Sequence, residues 1–168
     1  MIIPTVKSAT DLGVRKEFSA TIEGAVDTGS EALVQGKLEH VNADLVDIAS
    51  RCIERDGSAD DRDPRPGFVA VANLTGSRGH TVLEGVAVQF DVNTRKPLEM
   101  SRHMQSGWEE TYTRGTSRVV WNADGTLSQL DEYRCIERLY NHSTSETRVS
   151  LSTAPDGTRT YEEFYKRS

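Results

Sequence analysis

A tyrosine, a cysteine and a glutamate occupy alternate positions of one short segment, and they are the residues of this chain best placed to do chemistry together. In an extended strand, Tyr133, Cys135 and Glu137 lie on the same face. If that face points into the core, burial raises the pKa of Glu137, as a general base requires. If it points outward, which we favour, Glu137 is an ordinary surface acid.

His103 is a further candidate, because it directly follows Arg102 and precedes Trp108 by a short distance. A histidine beside an arginine and an aromatic residue is typical of ligand sites. Nucleophile-elbow, zinc-protease, Walker and dinucleotide-binding motifs are absent from the sequence. The candidate catalytic residues are therefore Glu137, Tyr133 and His103. The histidines lack metal-ligand spacing, so we expect no metal and no cofactor.

Arginines and aromatic residues of the C-terminal part could form a binding pocket. Tyr and Trp combine a large apolar surface with a polar tip, and a guanidinium pairs well with a carboxylate. The same aromatic residues could equally form the core. The candidate ligand-binding residues are Arg102, Trp108, Tyr112, Arg118, Trp121, Arg134, Arg159 and Tyr161. Of these, Arg159 and Tyr161 are predicted to share one strand face and could bind an acid together.

Residues 114–140 are predicted to form a hairpin, because residues 122–126 (NADGT) have the sequence of a type I turn closed by a glycine bulge. The predicted register places Trp121 opposite Leu127. Further from the turn, it places Val119 opposite Gln129. Each face then mixes apolar and charged residues, as in a barrel wall or an oligomer-facing sheet. The sequence leaves open which face points inward.

One amphipathic helix is predicted at residues 43–56, with Asn42 as its N-cap and an apolar stripe from Leu45 to Ile53. Alternating patterns predict strands at 15–24 and 32–40 before the helix. Further strands and short turns follow residue 68. Together they indicate a mainly β protein, an antiparallel meander of about 8–10 strands closing into a lipocalin-like barrel or a strongly curved sheet.

The chain of 168 residues is expected to form a single domain, with an N-terminal arm at 1–14 and a mobile acidic loop at 56–67. Its net charge of −6 argues against nucleic acid as a partner. No long apolar run or signal peptide is recognisable, so we expect no membrane partner and a cytoplasmic location. Cys52 and Cys135 are expected to be reduced thiols, although the sequence permits a disulfide between them.

Three functions are compatible with this pattern. The first is a small β-barrel binding protein for a small, partly apolar and possibly anionic ligand. The second is a barrel enzyme, such as an isomerase, cyclase or lyase, acting on a hydrophobic substrate. The third is an assembly protein that uses the two-sided sheet to form a homo-oligomer or to bind a partner. No motif in the sequence distinguishes between them.

Overall fold

The protein is seen here in a computed structural model, which describes residues 31–55, 66–77, 80–157 and 159–168. One helix, α1 (Glu31–Glu54), precedes seven strands. The strands are β1 (Phe68–Ser77), β2 (His80–Phe90), β3 (Pro97–Trp108), β4 (Thr111–Trp121), β5 (Leu127–Arg138), β6 (Ser143–Thr153) and β7 (Arg159–Arg167). They form one antiparallel sheet in chain order. The predicted mainly β meander with one helix is confirmed.

The sheet is open within the described ranges, because β1 and β7 are its two edges and do not pair with each other. The predicted closure into a barrel is therefore not seen among these strands. The predicted arm at 1–14 and the predicted strand at 15–24 lie outside the described residues. So do residues 56–65 of the predicted loop.

The helix is longer than predicted, and the predicted strand at residues 32–40 is wrong. Those residues belong to α1, which begins at Glu31 rather than near residue 43. The apolar stripe of the helix extends back through Leu38 to Val34, and both side chains are buried. The exposed Gly36 weakens the helix by about 1 kcal/mol relative to alanine, and burial of the stripe outweighs that cost.

Side chains on the helix-bearing face of the sheet form rows that run across the strands. The core row consists of Val69, Val88, Met100, Val119, Leu130, Leu151 and Tyr161, each paired with the next in register. The buried stripe of α1 shares one hydrophobic cluster with this row. Buried aliphatic side chains contribute roughly 1.5–3 kcal/mol each, so this row and the α1 stripe that shares its cluster both stabilise the fold.

A second row lies two residues from the core row on each strand, on the side of the β1–β2 turn, and we call it the boundary row. Its members are Val71, Val86, Arg102, Ser117, Glu132, Val149 and Glu163. Three more rows, the open rows, continue to the end of the sheet formed by the β1–β2, β3–β4 and β5–β6 turns. Hydroxyl groups and arginines are common in them. We call the opposite side of the sheet the outer face.

The hairpin prediction is confirmed at its turn and wrong in its register beyond it. Asn122 N–H donates to the carbonyl of Thr126 at 2.8 Å, and Gly125 has a φ of 86°. Trp121 pairs with Leu127 as predicted. The register then shifts by one residue, so that Val119 pairs with Leu130 instead of Gln129. A β-bulge of this kind reverses the faces of all residues that follow it.

The bulge decides which face points inward. Leu130 and Glu132 join Val119 on the helix-bearing face, whereas Tyr133 and Cys135 lie on the outer face. Cys52, on α1, and Cys135 are both buried and free. The sheet lies between these two thiols, so the alternative of a disulfide between them is not realised. Among the described residues, no helix is both long and apolar enough to cross a membrane.

Candidate functional site

The three candidate catalytic residues all lie on the outer face. His103 pairs with Thr116, and Thr116 pairs in turn with Tyr133. Glu137 pairs with Tyr112 nearer the end of the same strands, and the side chains of His103 and Glu137 are exposed. Their positions do not converge on a cleft, and their catalytic role stays a prediction.

Tyr133 is held by interactions with strand β6. Its hydroxyl donates a hydrogen bond to Glu146 at 2.7 Å, and the Arg148 guanidinium lies 5.8 Å from the centre of its ring. The bond to Glu146, with some burial, raises the pKa of Tyr133 to about 12. The phenol is therefore protonated at neutral pH and acts here as a hydrogen-bond donor that joins β5 to β6.

Three candidate ligand-binding residues lie in the core. The indole Nε1 of Trp121 donates to Oδ1 of Asn42 at 2.7 Å. Tyr161 is buried in the core row, and its hydroxyl donates to Glu163 in the boundary row. Arg159 is also buried, and its Nη2 donates to the carbonyl of Leu127 at 3.4 Å. Burial lowers the pKa of Arg159 and raises that of Tyr161, since it disfavours the charged form of each.

Asn42 was predicted as an N-cap, and the structure corrects this. It lies in the interior of α1, where its Nδ2 donates to the carbonyl of Gly125 at 3.0 Å while its Oδ1 accepts from Trp121. Both bonds join the helix to the β4–β5 turn. Asn42 therefore orients α1 across the end of the sheet that carries the core row.

Three other candidates are dispersed. Tyr112 and the exposed Arg118 lie on the outer face. Trp108 is half exposed at the far end of the open rows, where its ring meets that of His80 edge-on at 4.9 Å. None of these three is adjacent to the remaining candidates, Arg102 and Arg134.

The structure brings Arg102 and Arg134 together on the helix-bearing face. Arg102 lies in the boundary row, and Arg134 lies in the first open row. Both line a cleft of about 460 Å³, which we call the arginine cleft. Its lining residues are Arg102, Met104, Gly115, Thr116, Ser117, Glu132, Tyr133, Arg134, Thr147 and Val149. Its volume lies within the range of small-molecule sites.

Arg102 is held in place by Glu84, and it lies near a second acid, Glu132. Its Nη2 is 3.1 Å from Oε2 of Glu84, and about three-quarters of each side chain is buried. Its Nε is buried and has no hydrogen-bond partner among the described residues. A buried N–H without a partner is costly, so an acceptor brought to this group would be stabilising.

Glu132 lies in the boundary row between Ser117 and Val149. Burial raises the pKa of its carboxyl, while a 3.4 Å hydrogen bond from Ser117 and the charge of Arg102 act in the opposite direction. Protonation of Glu132 would leave the arginine cleft more positive. The cleft can therefore accept an anion most readily when Glu132 is neutral.

A second cleft, of about 380 Å³, lies between α1 and the sheet, and Arg102 and Glu132 line it as well. Its helix wall combines the apolar residues Val41, Leu45 and Ile48 with the charged residues Asp44, Asp47 and Arg51. Arg102 and Glu132 therefore lie between a groove of mixed apolar and charged lining under the helix and the arginine cleft. This arrangement can hold a molecule with an apolar part and an acidic part.

Sequence reasoning missed Ser117 and Glu132 as members of the site. The shifted register was responsible, because the predicted register paired neither residue with the other. In the structure Ser117 lies directly opposite Glu132, and Arg102 lies on the other side of Ser117. No signal in the sequence marks the shift that brings them together.

Among the described residues, no group of three or more His, Cys, Asp or Glu side chains could hold a metal ion. No protein-family model matches the chain, and it has no significant match among curated proteins or solved structures.

Proposed function

We propose that this protein is a noncatalytic binding protein for a small, partly apolar anion, which binds in the arginine cleft. The observation that carries the proposal is the buried, unpartnered Nε of Arg102 beside a cleft that Arg134 also lines. Glu84 fixes the Arg102 side chain, so little conformational entropy remains to be lost when a carboxylate binds. Arginine binds carboxylates through parallel N–H donors, which suits this arrangement.

The rest of the cleft supports the same ligand class. Ser117 and Thr147 offer hydroxyl groups, and Met104 and Val149 offer apolar surface. The adjoining groove beneath α1 adds the apolar residues Val41, Leu45 and Ile48, which lie among the charged residues Asp44, Asp47 and Arg51. A ligand with an acid at Arg102 and a hydrocarbon part in the groove would satisfy both regions.

The proposal includes a lipocalin-like barrel and a cytoplasmic location. The meander order is that of closed up-and-down barrels, and β1 and β7 each leave one edge unpaired within the described ranges. Bringing those edges together would turn the arginine cleft into a more enclosed site. The two free cysteines are consistent with a reducing compartment.

The test measures the binding of dodecanoate by calorimetry and by isotope-edited NMR of the arginine side chains. We expect the Nε–H signal of Arg102 to shift and Arg134→Gln to weaken binding about tenfold, which corresponds to ~1.4 kcal/mol. Arg118→Gln, on the outer face, is the matched control and should bind as the wild type does. Absence of binding by the wild type, or equal weakening by both variants, would refute the proposal.

One observation favours an enzyme as the second candidate function. Glu132 has a raised pKa and lies beside Arg102 in a cleft, as a general acid or base would. On this alternative Glu132, rather than Glu137, would transfer the proton in an isomerase or lyase reaction. Glu132→Gln distinguishes the two functions, because it would abolish turnover of a substrate while a binding protein would bind dodecanoate at least as tightly as the wild type does.

A further inference from the structure

A further cleft, of about 340 Å³, lies toward the far end of the same sheet. Its lining includes Arg138, Ser145, Tyr165 and Arg167, and we call it the distal cleft. Two arginines with hydroxyl groups between them provide the donors that bind carboxylates and other acid groups. No candidate residue of the sequence analysis lies in this cleft.

The distal cleft adjoins the arginine cleft along the open rows. Thr147, which lines the arginine cleft, pairs with Tyr165, which lines the distal cleft. Arg134 and Arg138 are four residues apart on β5, so their side chains share the helix-bearing face. Their Cα atoms are separated by about 13 Å at the usual rise of a strand.

Charge is segregated on this part of the sheet. The open rows carry Arg134, Arg138 and Arg167, and on β3 to β7 these rows contain no acidic residue. None of the three arginines forms a salt bridge with a described residue. The chain as a whole has 26 acidic and 20 basic residues, so this acid-free region runs against the overall composition.

The outer face of the same strands shows the contrast. There Arg118 pairs directly with Asp131, and Arg148 lies next to the pair formed by Tyr133 and Glu146. A surface on which charges merely solvate the sheet would alternate in sign in this way. The open rows instead concentrate one sign of charge, which favours an anionic partner.

We propose that the ligand is an elongated, partly apolar dianion with an acid group at each end. One acid binds at Arg102 and Arg134, and the other binds at Arg138 and Arg167 in the distal cleft. The inference rests on the proposed function, since it assigns the first acid to the arginine cleft. A second tethered acid binds at high effective concentration, so the dianion gains affinity over a monoanion of the same length.

The experiment compares α,ω-dicarboxylates from octanedioate to hexadecanedioate with monocarboxylates of matching length, by calorimetry on the full chain. We expect one chain length to bind about tenfold more tightly than its monocarboxylate. The double variant Arg138→Gln/Arg167→Gln should bind this dicarboxylate only as tightly as the monocarboxylate. The double variant should bind the monocarboxylate as tightly as the wild type does. The control variant Arg118→Gln should also bind it as tightly as the wild type does.

The outcomes separate the two proposals. If the wild type binds monocarboxylates at Arg102 but no dicarboxylate more tightly, the second acid site is refuted while the proposed function stands. The same conclusion follows if the tighter binding survives in the double variant. If the wild type binds neither class of probe, both proposals are refuted.

Discussion

The core row and the open rows are built from the same strands, yet they serve different purposes. At the core row, every strand contributes an aliphatic, methionine or tyrosine side chain that packs beneath α1. Two to four residues from the core row, the helix-bearing face of β4 to β6 carries Ser117, Glu132, Arg134 and Thr147. The change takes place at the boundary row, where Arg102 and Glu132 lie.

This contrast separates the residues that stabilise the fold from those that we propose bind the ligand, along the length of each strand. Leu130, at the core row, is fully buried, whereas Arg134, four residues later on β5, is exposed. Packing restricts which side chains the core row can accept. Folding places fewer restrictions on the side chains of the open rows. The polar side chains of the open rows that line the arginine cleft are the ones to which we assign the proposed ligand.

The largest expected effect is on the core row. Leu130→Ala removes a fully buried side chain and leaves a cavity, so we expect the free energy of unfolding to fall by about 2–5 kcal/mol. The matched variant Arg134→Ala lies on the same strand and face, and it should change stability by no more than about 0.5 kcal/mol. Urea unfolding followed by circular dichroism measures both. Similar losses in the two variants would show that the open rows are also structural.

A smaller effect is expected where α1 is joined to the β4–β5 turn. Asn42→Ala removes both of its hydrogen bonds and leaves the buried indole N–H of Trp121 without its acceptor. We expect a loss of about 1–3 kcal/mol, together with a change in Trp121 fluorescence on unfolding. His40→Ala, at an exposed position of the same helix, is the control and should be nearly neutral. An equally neutral Asn42→Ala would contradict this role.

Much of the fold could be predicted because turns and alternation are local signals. The NADGT turn, the pairing of Trp121 with Leu127 and the C-terminal meander follow from turn chemistry and strand patterns. The first part of α1 was mispredicted because a short apolar alternation fits a strand as well as a helix. Only the longer stripe, from Val34 to Ile53, distinguishes the two.

The site was harder to predict because it depends on register. A single bulge after Trp121 moved Glu132 and Arg134 to the helix-bearing face and Tyr133 to the outer face. No sequence signal marked the bulge. Arg102 and Arg134 were both candidates, but their adjacency to Glu132 and Ser117 follows only from the pairing of β3, β4 and β5.

The smallest expected effect, and the one that best distinguishes the two regions, is at Glu132. Burial raises the pKa of this carboxyl in the folded protein above its value of about 4.3 in the unfolded chain. The folded state therefore binds the proton more tightly. The resulting contribution to stability is present in full below the unfolded pKa and is lost as the pH rises through the folded pKa.

Glu132→Gln removes this dependence. We expect the variant to be more stable than the wild type at neutral pH, by about 0.5 kcal/mol given its partial exposure, and the difference to vanish in acid. Urea unfolding from pH 4 to pH 7 measures this directly, with the exposed Glu137→Gln on the outer face of the same strand as control. At pH 7, where dodecanoate is fully ionised, Glu132→Gln should also bind it more tightly than the wild type does, because a neutral side chain does not repel the anion. Equal affinities of the two proteins at pH 7 would place the anion away from Glu132 and outside the boundary row.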